Sequence, residues 1–167
     1  MKICIIGAGA MGGLYGARLI MAGEEVNFVD NRQSVVNNIN QQGVHLTGVD
    51  GEHWIPAQAS TTAGDYFPAD IVFIHTDTNN TAAAAIQAST VLDKQNGWCI
   101  TFQNGIGNVE RLQDELGIDR VAGGISYHSA ASPQPGHSFH TNAGKTWIGE
   151  LNQERFERVA VLKQTLS

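Results

Sequence analysis

The sequence predicts a doubly wound, Rossmann-type α/β fold: a mostly parallel sheet with helices on both faces. Three observations carry that prediction. Strand-length apolar runs alternate with helix-length amphipathic stretches along most of the chain. The runs, such as "CIIG" from Cys4 and "IVFI" from Ile71, are continuous rather than alternating, as strands covered on both faces are. Gly23, Gly43 and Gly117 each stand where a helical stretch should stop.

Taken in order, residues 2–6 read as a strand, 11–22 as a helix and 26–29 as a second strand. Residues 34–42 form a short helix with Val35, Val36 and Ile39 on one face. Residues 44–49 and 54–57 are expected to pair as a hairpin, because "GVDGE" holds the Asp-Gly turn signal. A buried strand at 70–76 leads into an alanine-rich helix over 81–92. The next strand is "WCITF", 98–102, followed by a helix over 108–116 and a strand-like run over 121–128. "SPQPG" reads as a loop, and 137–141 with 145–151 as a C-terminal β-hairpin turning at "NAG". Residues 153–166 form a last amphipathic helix with Phe156, Val159, Ala160, Leu162 and Leu166 as its apolar members.

Composition narrows the function. The 167 residues suit one domain, 42% are hydrophobic, and the formal net charge is −6. Ten Lys and Arg, scattered rather than clustered, argue against a nucleic-acid binder. No apolar run approaches the roughly 20 residues of a membrane helix, and glycines interrupt the first apolar stretch too early for a signal peptide. Cys4 and Cys99 both lie in apolar runs and suit buried core thiols in a reducing compartment. A cytoplasmic protein without membrane or nucleic-acid partners is expected. His75, His128, His137 and His140 show no nearby carboxylate or cysteine in sequence, so no metal site is expected.

The glycines Gly7, Gly9 and Gly12 form G-x-G-x-x-G directly after the first strand and open the first helix. The first permits the tight turn, the second lets backbone approach a pyrophosphate, and the third lets the helix pack closely on the sheet. The helix N-terminus adds unpaired N–H groups and a positive dipole end. An acid, Asp30, closes the second strand 23 residues after Gly7. Strand, glycine loop, helix and acid together identify a dinucleotide cradle over Gly7, Ala8, Gly9, Ala10, Met11 and Gly12. Asp30 alone points to NAD, by accepting from the ribose 2′-OH. Arg32 either holds the 2′-phosphate of NADP or lies in solvent, so the cofactor is NADP or NAD.

Three segments in order, "KICIIGAGAMGGLYGARLIMAG", "TFQNGIGNVERLQDELG" and "VAGGISYHSAASPQPGHSFHTNAGKTWIGE", resemble the N-terminal domain of the ketopantoate reductase (2-dehydropantoate 2-reductase) family. The resemblance covers essentially the whole chain. It implies reduction of a small 2-oxo acid on the route to pantothenate and coenzyme A. It implies that Asn104 reaches both cofactor and substrate, and that the backbone at Ala130 lies against the cofactor. His128, two residues earlier, is either an acid–base or merely a hydrogen-bonded histidine.

Two departures accompany the resemblance. The family commonly has a lysine after its fourth strand, and Asp77 stands in that place, either as a helix cap or as a charge reversal at the site. The family's general-acid lysine and substrate-binding acid lie in an all-helical C-terminal domain. Lys163 and Lys145 are in the wrong elements to replace that lysine. Residues 1–151 are therefore expected to be the dinucleotide-binding domain, and 152–167 the start of a helix leading to a domain beyond a truncated chain. No catalytic residue is expected in this piece, which alone should be inactive; a homodimer of the longer protein stays open. An NAD-dependent D-2-hydroxyacid dehydrogenase of the D-mandelate type is the nearest alternative, and a non-catalytic redox-sensing module the alternative from another class.

Overall fold

A computed structural model describes residues 1–150 and 156–166. Seven strands form the main sheet: β1 (Lys2–Ile6), β2 (Glu25–Val29), β5 (Gln58–Ser60), β6 (Ile71–Ile74), β7 (Trp98–Thr101), β8 (Val121–Ser126) and β11 (Thr146–Glu150). Their order is β11-β8-β7-β6-β1-β2-β5, all parallel except β11, which runs antiparallel beside β8. The sheet is covered by α1 (Ala10–Met21), α2 (Gln33–Gln42), α3 (Thr81–Val91), α4 (Asn108–Leu116) and α5 (Phe156–Leu166).

The continuous apolar strands divide between two cores by their period of two. Ile3 and Ile5 of β1, Phe28 of β2 and Phe73 of β6 face one core, with Leu14 and Leu19 of α1, Ile39 of α2 and Leu162 of α5. Cys4, Ile6, Val29, Val72 and Ile74 face the other, against Ala84, Ala85 and Ala88 of α3 and Leu112 of α4. The alanines of α3 are what let that helix lie close to the sheet. Cys4 and Cys99 are free thiols inside the second core.

A second sheet lies over α1. It joins β3 (Val44–Gly48), β4 (His53–Ile55), β9 (Ser129–Ala131) and β10 (His137–Asn142) in the order β4-β3-β10-β9. The expected hairpin of β3 and β4 is present, with Leu46 opposite His53. Ser138 of β10 ties this sheet to α1, its Oγ donating to the Ala10 carbonyl at 2.6 Å.

The C-terminal hairpin is corrected. The strands read at 137–141 and 145–151 do not pair with each other. β10 joins β3 in parallel, His137 opposite His45, and β9 antiparallel, while β11 crosses back to β8. Occupied edges are the reason: β10 has β3 along one edge and β9 along the other, which leaves none for β11, while Ser138 and His140 are buried on one of its faces. "SPQPG" accordingly becomes the turn between β9 and β10. Strands β5 and β9, three residues each, had no periodic signal to read.

The last helix is described from Phe156, so its expected first residues and the 151/152 domain boundary lie outside the described residues. Val159 and Leu162 are buried, whereas Ala160, expected on the same face, is exposed. Arg158 anchors the helix: Nη2 donates to Glu150 Oε2 at 2.8 Å, Nη1 to the Asp119 carbonyl at 2.9 Å, and the guanidinium lies over the Trp98 ring.

Candidate functional site

The chain leaves β1 at Gly7, whose φ of +99° is left-handed and suits glycine alone. A Cβ there would sit 2.7 Å from the His75 backbone, so the loop is pressed against the end of β6. At Gly12 a Cβ would sit 1.9 Å from the Gly7 carbonyl oxygen, which is the close helix–strand approach that the third motif glycine permits. Gly9 differs. A Cβ there would meet only Arg32 Nη2, at 3.9 Å, so its open flank belongs to the cleft. Gly9 is also the N-cap of α1 and provides no capping side chain. The first N–H groups of α1 therefore remain available to an anion.

These residues open on a cleft of about 560 Å³, lined on one side by Gly7, Gly9, Ala10 and Met11 and on the other by Asp30 and Arg32. The motif and the acid, 23 positions apart in sequence, are thus brought together, because β1 and β2 are parallel neighbours. Asp30 is buried and its carboxylate is fully engaged. Oδ1 accepts from Arg32 N–H (3.0 Å) and Nε (2.9 Å), and Oδ2 from Arg32 Nη2 (2.9 Å) and from Ala8 N–H (2.9 Å). Burial pushes its pKa up, but the hydrogen bonds and charge of Arg32 and the Ala8 N–H outweigh it and hold the carboxyl below its usual range. Ala8 is itself buried, and its N–H goes to Asp30.

The far wall includes His75, Thr76, Asp77, Asn80, Gln87 and Ser132. Two of these stand out in the sequence: Asp77, as a helix cap or a charge reversal, and His75, as a histidine without metal-ligand neighbours. Asp77 occupies the N-cap position of a short 3₁₀ turn, Thr78–Asn80, yet its side chain makes no capping bond. It is exposed on the cleft, and its charge reinforces the protonated state of Arg32, behind the larger effect of the hydrogen bond with Asp30. His75 stacks on Tyr15, ring centroids 5.1 Å apart, and its Nε2 is enclosed without a partner. Burial pushes this imidazole down to about 4, so it is neutral at ordinary pH. Placement at a strand's carboxyl end beside the glycine loop is the signal that would have flagged it.

Asn104 and Ala130 stand apart from this cleft. Asn104 is exposed in the loop after β7, where its carbonyl accepts from Asn108 Nδ2 at 2.9 Å. It borders a separate hollow of about 760 Å³ shared with Ile106, Ile125 and Trp147. Ala130 lies in β9 opposite His140, and it is Ser132, two residues on, that reaches the cleft wall. Among the described residues, no helix is long and apolar enough to cross a membrane.

The model of the family described as ketopantoate reductase PanE/ApbA matches residues 3–153. The chain is 34% identical over 163 residues to a 2-dehydropantoate 2-reductase of Pyrococcus abyssi, covering 96% of this chain and 52% of that protein. A solved 2-dehydropantoate 2-reductase from Geobacter metallireducens superposes with a TM-score of 0.88 at 27% identity, covering 99% of this chain and 55% of the other. D-mandelate dehydrogenase, solved with NADH and anilino(oxo)acetate, gives 0.90 at 21% identity, over 99% of this chain and 54% of that one, a likeness of fold. The chain spans about half the length of the curated relatives it matches.

Proposed function

The chain belongs to the ketopantoate reductase PanE/ApbA family, and from that premise we propose that it serves as the dinucleotide-binding domain of an oxidoreductase that reduces a small 2-oxo acid. The observation that carries this reading is the uncapped start of α1 behind Gly9, open on a cleft that the Asp30–Arg32 pair closes at its other end. Family membership implies a nicotinamide dinucleotide there, and the residues fit one. When bound, it supplies a hydride for the keto carbon of the substrate. The α1 N–H groups would hold the pyrophosphate, and the glycine loop keeps side chains out of its way. Asn104 and the Ala130 backbone are proposed to meet the nicotinamide and substrate end.

NADPH is the preferred cofactor in this proposal. Asp30 already accepts four hydrogen bonds, so its oxygens are poorly placed to take on a ribose 2′-OH. Arg32 uses Nε and Nη2 on Asp30 and keeps Nη1 for a 2′-phosphate. The reading with NADH and a D-2-hydroxyacid rests instead on Asp30 turning from Arg32 to the ribose. A calorimetric titration of the chain with NADPH and NADH decides between them. Tighter NADPH binding supports the proposal, tighter NADH binding reverses the cofactor, and binding of neither overturns the cradle.

A further inference from the structure

Away from the cleft, three polar side chains join in a line. Asp50 Oδ2 accepts from His140 Nδ1 at 2.5 Å, and His140 Nε2 lies 3.0 Å from His128 Nδ1. The Gly144 N–H also donates to His128 Nδ1, at 3.3 Å. His128 Nδ1 accepts from the Gly144 N–H, so the neutral ring carries its own proton on Nε2. Asp50 lies 90 positions from His140, the carboxylate partner that sequence separation hid. His140 is buried, with Asp50 on one side of its ring and His128 on the other.

These groups line a cavity of about 490 Å³ between α1, β11 and α5, which shares no lining residue with the dinucleotide cleft. Arg18 lines it too, its Nε 3.9 Å from Asp50 Oδ1, too long for a hydrogen bond. Asp50 is hydrogen-bonded to His140 and only ion-paired with Arg18, so the Arg18 N–H donors are not taken up by it and stand at the cavity wall; Lys163 lines it as well. His128 registers this field: burial first, then Arg18 and His140, push its pKa down, and Asp50 only partly counters them. Most of the remaining wall is apolar, from Trp147, Ile148, Val159 and Leu166, and the hydroxyl of Thr146 is hydrogen-bonded to Tyr15.

We propose that this cavity is a second ligand site, for a small carboxylate with a compact apolar body. The carboxylate would sit between the Arg18 guanidinium and the His128 Nε2–H, and the body against the apolar wall. The pairing of one guanidinium and one imidazole N–H with four apolar side chains suits such an amphipathic anion better than inorganic phosphate, which has no use for the apolar wall.

The test is an NMR titration of the ¹⁵N-labelled chain with 3-methylbutanoate, following the histidine ring and tryptophan indole signals, with inorganic phosphate as a parallel arm. Saturable shifts at His128, His140 and Trp147 are expected, weakened roughly tenfold or more in Arg18→Gln. Arg18 is half-exposed, so that variant should fold, and its NADPH titration serves as a control that the cleft is unchanged. His128→Gln, a second variant, should also weaken binding. Absence of saturation, saturation that both variants leave unchanged, or phosphate binding as tightly as 3-methylbutanoate would each overturn the proposal.

Discussion

The Arg32 guanidinium lies side-on to the Asp30 carboxylate, Nε on Oδ1 and Nη2 on Oδ2, both at 2.9 Å. The two side chains therefore form one unit, with the acid orienting the cation, and would meet a cofactor together. Arg32→Gln is expected to lower NADPH affinity by roughly tenfold or more, as loss of a charge-assisted phosphate contact does. NADH affinity should hold or improve, because the change releases Asp30. Parallel titrations of the wild type and the variant check this, and an equal loss for both cofactors would sink it.

The motif glycines should separate into a structural one and a ligand-facing one. Gly12→Ala places a methyl group 1.9 Å from a backbone oxygen, and should destabilise the fold by about 2–3 kcal/mol or more. Gly9→Ala meets only Arg32 Nη2 at 3.9 Å and should cost less than about 1 kcal/mol. Its dinucleotide affinity should nevertheless fall at least roughly tenfold. Urea unfolding beside a cofactor titration distinguishes the two, and a normal affinity in Gly9→Ala would contradict the assigned approach.

Acid should unfold the protein earlier than its carboxylates alone require. His75 titrates near 6.5 when unfolded and at about 4 when folded, so below 6.5 the unfolded chain takes up a proton that the folded chain refuses. Stability from this residue is complete above 6.5 and falls toward pH 4, by roughly 3 kcal/mol in all. His128 and His137 are also pushed down by burial and act with the same sign. Asp30, held low, loses its contribution only at lower pH. Denaturant midpoints between pH 7 and 4 should have a shallower slope in His75→Phe, and an unchanged slope would remove His75 from the account.

Asp77 offers a charge-reversal test. It lines the cleft without a capping bond, so Asp77→Lys should leave the melting temperature near its wild-type value. Dinucleotide affinity should rise about threefold to tenfold, with a steeper dependence on salt. A fall in affinity would mean that the lysine's place in the family has a different role here.

Both thiols should be inert in the native state. Burial pushes the Cys4 thiol up to about 12 and that of Cys99 higher still, the latter slightly countered by Arg120. Labelling with a thiol reagent at pH 8 should proceed only after denaturation. Rapid native labelling of either would show that its core opens far more readily than its packing suggests.

Much of this was legible because it is local. The tight turn at Gly7, the close approach at Gly12 and the apolar runs of β1, β6 and β7 follow from residue type and spacing. Asp30 reached the cleft because parallel neighbours align the ends of β1 and β2. What failed was non-local. "NAG" signals a turn as well for a crossover between sheets as for a hairpin, and nothing near 137–142 announces β3 as its partner. Residues 58–60 and 129–131 are too short to show a period. His75 shows in the sequence only as a histidine without metal-ligand neighbours, and the enclosure of its Nε2 beside the Tyr15 ring exists only in the folded chain.

The parallel pairing of β3 with β10 also orders events in time. Thr47 and His137, in hydrogen-bond contact at 2.7 Å, are 90 positions apart, so synthesis must run well past β3, as far as β10, before β3 gains its second neighbour. Until then the β3–β4 hairpin presents a bare strand edge, open to other nascent chains. Closing so long a loop is slow. The over-sheet above α1 should therefore assemble late, and yield in the cell should depend on how that edge is shielded in the interval.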